Sequence, residues 1–214
     1  MNNKLLMKIF CGALSAAMFL ALATGCEKDK GENVHSGGNT ASAATDAPSQ
    51  NDDAVVNTEK GFFESDLNIV INGKVLKIGG KESTIKDVLG EPVSIDAAES
   101  CIFDGDERFY TYDNCVIFTF PAQNGSTDNT IDEVYFFGEN VPAVGKGVIT
   151  IGSTFEEVEE AFGMNYFMDG DSMMVFNIEN DPEKKDILPK LYFEFTDSKV
   201  SGIGYCANLY HAEG

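Results

Sequence analysis

Apolar and polar positions divide the chain into three stretches. Residues 9–23 (IFCGALSAAMFLALA) are apolar or small almost without a break. Residues 27–60 have no aromatic side chain and no hydrophobic period. From Leu67 to Tyr205, short apolar runs alternate with turn residues and with helical spacing. The run Leu67–Ile78 is split by Asn72-Gly73, the strongest short-range signal for a β-hairpin. Beyond it, the pattern occurs twice. Lys77-Ile78-Gly79 precedes Ser83-Thr84-Ile85-Lys86-Asp87-Val88-Leu89-Gly90, and Thr150-Ile151-Gly152 precedes Ser153-Thr154-Phe155-Glu156-Glu157-Val158 and the close at Phe162-Gly163. Each copy predicts a short helix stopped by Gly. Thr84 with Asp87, and Thr154 with Glu157, have the spacing of a capping box. Phe155, Val158, Ala161 and Phe162 share one helical face.

Strands are predicted after each helix. In the first copy they fall at 101–103, 108–112, 116–120 and 131–137, and in the second at 166–168, 173–178, 191–195 and 200–205. Phe103-Asp104-Gly105-Asp106 is echoed by Met168-Asp169-Gly170-Asp171, and Ile131–Val134 by Val200–Ile203. The fold class predicted is α+β: two tandem helix-plus-antiparallel-sheet repeats, about 77–138 and 150–206, preceded by the hairpin. Residues 61–214 are enough chain for one domain with its own core.

The unit "I-G-x-S/T, short helix, Gly, strand meander" resembles the β-lactamase inhibitor protein (BLIP) fold and the related small outer-membrane assembly lipoproteins. Cys101-x-Phe103-x-Gly105, Tyr110-Thr111-Tyr112, Thr119-Phe120-Pro121, Gly152-Ser153 and Gly163 together resemble a family of uncharacterised bacterial lipoproteins of this BLIP-like type. The resemblance spans Leu67 to about Tyr205. It implies a concave sheet face that holds a partner protein. The inhibitor's own contact loops have no counterpart in this chain.

Lys4 and Lys8 before the apolar stretch, then Leu22-Ala23-Thr24-Gly25-Cys26 and a run of charges, have the layout of an export signal. Fifteen apolar residues are short for a membrane span, which takes about 20. The segment resembles a bacterial lipoprotein signal, with residues 1–25 removed and Cys26 lipidated; an ordinary cleaved signal is the alternative. The resemblance implies two or three fatty chains, and each buried CH₂ contributes about 0.8 kcal/mol to membrane binding. The location expected is the cell membrane, lipid-anchored and facing away from the cytoplasm. Residues 26–60 read as a flexible tether with a reach of about 30 Å.

Lys and Arg number 15 against 35 Asp and Glu, a net charge of −20. Cleavage before Cys26 removes two Lys and no acid, which takes the charge to −22 over 189 residues. Such a chain lacks the surplus cations that displace phosphate counterions, so nucleic acid is excluded as a partner, and contact with the membrane is expected through the Cys26 lipid alone. Only His35 and His211 are present, which leaves little room for His-dependent catalysis or metal sites. No phosphate loop, dinucleotide fingerprint or nucleophile elbow is present. Asp104/Asp106 and Asp169/Asp171 read as turns, not as a calcium loop. No cofactor, metal site or catalytic residue is assigned. Three cysteines, Cys101, Cys115 and Cys206, remain in the domain; a Cys101–Cys206 disulfide and buried thiols are both open readings.

The apolar sets Val116, Phe118, Phe120 and Leu191, Phe193, Phe195 are expected to pack on the helices. Their mixed neighbours Ile117, Thr119, Tyr192 and Glu194 are then outward, joined by Tyr110, Tyr112 and Tyr135. Tyr offers a rigid area with a polar tip. Tyr110, Tyr112, Ile117, Tyr135 and Tyr192 are therefore the partner-binding candidates, although sheets carry Tyr through β-propensity alone. The function expected is a non-enzymatic module that binds an unidentified protein or peptide. The alternatives are an envelope-assembly scaffold and an enzyme acting on cell-wall material.

Overall fold

The computed structural model describes residues 59–122, 125–139, 141, 146 and 148–209. The expected signal segment, Cys26 and nearly all of the expected tether lie outside the described residues. No helix among the described residues is long and apolar enough to cross a membrane.

A 3₁₀ turn at Glu64–Leu67 leads into the hairpin of β1 (Asn68–Ile71) and β2 (Lys74–Lys77), with Ile71 opposite Lys74. Asn72 and Gly73 turn the corner at φ 52° and 76°, the left-handed pair that a two-residue hairpin loop demands.

The remaining strands form one antiparallel sheet. They are β3 (Ser94–Glu99), β4 (Asp106–Thr111), β5 (Cys115–Phe120), β6 (Thr130–Phe137), β7 (Phe167–Asp169), β8 (Met173–Asn177), β9 (Lys190–Thr196) and β10 (Lys199–Cys206). Their order across the sheet is β3-β4-β5-β6-β10-β9-β8-β7. The fold is thus α+β, but its eight strands are continuous across a central β6–β10 pairing, where two small sheets were expected. The strand expected at 101–103 lies at β3 instead. Residues 101–105 are a loop, in which the Ser100 hydroxyl accepts the Phe103 N–H at 3.1 Å and Gly105 takes φ 120°.

Helix α1 (Ile85–Leu89) precedes β3–β6 and α2 (Phe155–Phe162) precedes β7–β10. Each approach to a helix is tied to a central strand. Ahead of α1, Gly79 N–H donates to Ile131 O (2.7 Å) and Ile131 N–H to Gly80 O (2.8 Å). Ahead of α2, Gly152 N–H donates to Val200 O and Val200 N–H to Ser153 O, both at 2.8 Å. The α2 capping box forms as expected: Thr154 Oγ1 accepts Glu157 N–H (3.2 Å), and Glu157 Oε2 accepts Thr154 N–H (2.8 Å). The one expected at Thr84 does not. A 3₁₀ turn at Glu82–Thr84 starts the helical path earlier, so Thr84 is itself helical (φ −78°, ψ −16°) and its hydroxyl donates back to Lys81 O.

Both helices pack on the same side of the sheet. Ile85, Val158 and Phe162 join Ile117, Val134, Phe136, Phe193, Ile203 and Tyr205 in the core. The Phe162 ring meets Phe176 at 5.4 Å and Phe193 at 5.5 Å. Removing a side chain of this size from water contributes about 1.5–3 kcal/mol. Tyr205 is fully buried there, and its hydroxyl has no hydrogen-bond partner.

Candidate functional site

The five candidate residues divide between the two faces of the sheet. Tyr110, Tyr112 and Ile117 lie on the helix-covered face, inside the core. This corrects their expected outward placement. The Tyr110 hydroxyl donates to Glu82, which also accepts both of its Arg108 contacts, at 2.8 and 2.7 Å. The Tyr112 hydroxyl donates to Gly90 O at 3.0 Å. A buried ring is tolerated once its hydroxyl has a partner. Cys115, Ile117 and Thr119 therefore turn toward the helices, and Val116, Phe118 and Phe120 turn away, the reverse of the expected phase. In β9 the phase is as expected, with Leu191 and Phe193 in the core.

Glu82, Arg108, Tyr110 and Asp128 line a cleft of about 400 Å³ beside α1. Its polar groups are engaged with one another: Asp128 accepts the Ser83 N–H at 2.9 Å and the Ser83 hydroxyl at 2.8 Å.

Tyr135 and Tyr192 lie on the second face, where strand register assembles a different arrangement. Gly204 of β10 sits between Tyr135 of β6 and Tyr192 of β9, and Gly202 between Phe137 and Glu194. A side chain at Gly202 would collide with the Tyr135 hydroxyl, and one at Gly204 with the Tyr192 ring. The two glycines thus form a floor over which the rings lie. Tyr135 stacks on Tyr192 (centroids 6.1 Å apart, planes 22° apart) and on Phe137 (6.0 Å, 26°). The Tyr135 hydroxyl donates to Glu194 Oε2 at 2.8 Å, and the Tyr192 hydroxyl to Glu133 Oε1 at 2.5 Å. Two tyrosine–carboxylate pairs therefore cross the seam between the halves of the sheet.

Burial controls the chemistry here. Glu133 is 2% exposed, and desolvation pushes its carboxyl up to about 7, against the Tyr192 hydrogen bond, which lowers it. The same desolvation, reinforced by Glu133, holds the Tyr192 phenol well above its usual value. Asp132 sits where the β5–β6 register shifts; its side chain accepts Leu209 N–H at 2.8 Å and its carbonyl accepts Ala207 N–H at 2.7 Å. Its carboxyl is pushed up to about 6, again by burial first. Asp132 thus holds the segment that follows β10, while Glu133 belongs to the second face.

Toward β4 the second face is lined by phenylalanine. Phe109 meets Phe118 at 4.8 Å, Phe118 meets Phe120 at 4.7 Å, and Phe103 meets Phe120 at 5.1 Å. Toward β7, the connection between β8 and β9 reaches it through Lys185, 2.7 Å from Asp169. Neither α-helix packs on this face, and Phe109, Tyr135, Phe137 and Glu194 are half-buried. The Gly202-x-Gly204 pair within a strand signals a close approach; with it, the floor was open to sequence reasoning, which placed Glu194 outward without making it a candidate and missed Glu133 and Phe137.

Cys101 is exposed and Cys115 is a buried thiol, and neither is bonded to Cys206. Burial pushes the Cys115 thiol up to about 12. Among the described residues, no group of three His, Cys, Asp or Glu could hold a metal ion.

A family model described as a domain of unknown function, DUF7738, matches residues 64–170, half of the chain. No curated protein matches. A solved structure, that of a DUF4309 family protein (YjgB) from Bacillus subtilis subsp. subtilis str. 168, is similar at 18% identity. The match covers 62% of this chain and 82% of that one, with a TM-score of 0.36, too loose to carry fold or function across.

Proposed function

This chain belongs to the DUF7738 family, a domain of unknown function, and on that premise we propose that it is a non-enzymatic, lipid-anchored, exported bacterial module that binds a protein or peptide on the second face of its sheet. The observation that carries this reading is the seam: Tyr135, Phe137 and Glu194, half-buried, with Glu133 and Tyr192 beneath them, on a face that neither helix covers. Rings locked by stacking and by hydroxyl–carboxylate bonds lose little entropy when a partner docks. Aromatic rings beside carboxylates favour a partner that presents cations.

The same proposal reads the domain as two BLIP-like repeats. Their equivalence is supported by the matching ties of Ile131 to the α1 approach and Val200 to the α2 approach. It is supported also by the order α1 then β3–β6, α2 then β7–β10. Anchoring through Cys26 rests on the signal-like sequence.

A cross-linking pull-down from native envelopes, with the full chain as bait, tests the binding face. A partner captured by the wild type and lost with Tyr135→Ala plus Phe137→Ala, in a variant that keeps its far-UV circular dichroism although it melts at a lower temperature, is the result expected. Equal capture by both baits would remove the second face from the proposal.

A further inference from the structure

The outer edge of the sheet offers a second, separate surface. All six residues of β3 are exposed, on both faces of the strand. The strand pairs with β4 along its whole length, from Ser94 opposite Thr111 to Glu99 opposite Asp106, and with no other described strand. The Ser100 N–H donates across the ladder to Gly105 O. In antiparallel alternation this turns the even-numbered residues toward β4, so Ile95, Ala97 and Glu99 direct N–H and C=O groups outward. Natural edge strands are blunted by shortness, Pro, Lys or a covering segment. At the other edge β7 is three residues long. The β3 sequence SIDAAE has six residues with no Pro, no Lys and no Gly. Its apolar members are open to solvent, with Ile95 45% exposed and the preceding Val93 70% exposed.

We infer that β3 is a docking edge for an extended segment of another polypeptide, one that alternates apolar with basic residues and adds to the sheet as a ninth strand. Backbone pairing to Ile95, Ala97 and Glu99 supplies the affinity, and side chains along the added strand supply the choice of partner. The charge around the edge defines that choice. Asp96 and Glu99 lie on the strand, and Asp106 and Glu107 lie opposite Glu99 and Ala98. The nearby cations are already engaged, Arg108 with Glu82 at 2.7 Å and Lys86 with Glu91 at 2.8 Å. A second copy of this chain is the weaker occupant: it would bring two molecules of net charge −20 together through edges that carry only acids. The edge is distinct from the Tyr135 seam, so either surface can fail without the other.

The test uses the full chain in a neutral detergent and a fluorescent eight-residue peptide of alternating Val and Lys, followed by anisotropy. A second peptide carries N-methyl groups on alternate residues, which removes edge hydrogen bonds and keeps the charge. Ala97→Pro deletes an outward N–H that the β4 ladder does not use, so folding should persist. The wild type is expected to bind the first peptide. Ala97→Pro, and separately the N-methyl peptide, should each weaken binding about tenfold or more, in a Tyr135→Ala background as in the wild type. Failure of the wild type to bind, or equal binding by Ala97→Pro or by the N-methyl peptide, overturns the inference. If Ala97→Pro does not fold, amide exchange in the wild type decides: slowing at Ile95, Ala97 and Glu99 on peptide addition supports the edge, and no slowing overturns it. A wild-type dimer in sedimentation that Ala97→Pro abolishes would overturn it in favour of a second copy.

Discussion

Tyr110 and Tyr192 are the same residue type, each on an inner strand position and each bonded to a buried glutamate, yet they occupy opposite faces of one sheet. Tyr110 donates to Glu82, which Arg108 also neutralises, and this cluster closes the helix-covered side. Tyr192 donates to Glu133 without a guanidinium beside it, on the side that neither helix covers. A third tyrosine, Tyr205, faces the core with no hydroxyl partner. The ring alone therefore does not decide which way a tyrosine faces; its place in the strand register does, and the polar group within reach of its hydroxyl decides what the buried ring is tied to. A glutamate in an ion pair makes a structural anchor, and one held by a phenol alone leaves a carboxyl open to an approaching cation.

The comparison breaks most severely at the glycine floor. Gly204→Ala forces a Cβ into the Tyr192 ring, and should cost about 3 kcal/mol in denaturant unfolding. Gly202→Ala meets mainly the far end of Tyr135 and should cost about half as much. Similar costs at both sites would mean that the rings do not rest on the floor as described.

The charge state of Glu133 gives the next largest effect. Its folded value of about 7 lies above the ordinary 4.5, so the folded protein holds this proton more tightly than the unfolded chain. The resulting stability is fully present below about 4.5 and is lost as pH rises through about 7. Asp132, raised from 3.8 to about 6, acts in the same direction over a lower window. Glu133→Gln should therefore stabilise the domain at pH 8, by on the order of 2–3 kcal/mol, and have little effect near pH 4.5. Thermal unfolding across this range measures it; a pH-independent difference would contradict the desolvation of the Glu133 carboxyl.

Removing single hydroxyls sharpens the contrast. Tyr110→Phe leaves Glu82 with Arg108 alone and should cost about 1–2 kcal/mol. Tyr205→Phe removes a buried hydroxyl with no partner and should stabilise by about 1 kcal/mol. Opposite signs in parallel melts are the expected outcome. The smallest effect compares the two helix starts: Thr154→Ala should cost about 1 kcal/mol, and Thr84→Ala, without a cap to lose, only a few tenths.

Much of this fold was legible in local patterns. Asn72-Gly73 marked the hairpin, the Thr154–Glu157 spacing marked α2, and the apolar runs marked β5, β6, β8, β9 and β10. β3 was not legible, because SIDAAE is exposed on both faces and has no reason to alternate. The phase of β5 was not legible for the opposite reason. All six of its residues are buried, so its apolar run does not say which face the helices take. The site depends on register between distant strands: Glu133 and Tyr192 are 59 residues apart, as are Tyr135 and Glu194. Local periodicity carries no such pairing, and only the two glycines of β10 hinted at it.

The most direct test of the binding face is site-specific photo-cross-linking in native envelopes, with the photoreactive residue placed in turn at Phe137, on the second face, and at Glu156, on α2. The account predicts a discrete adduct from position 137 that position 156 does not give. The same adduct from both, or one from 156 alone, would contradict it.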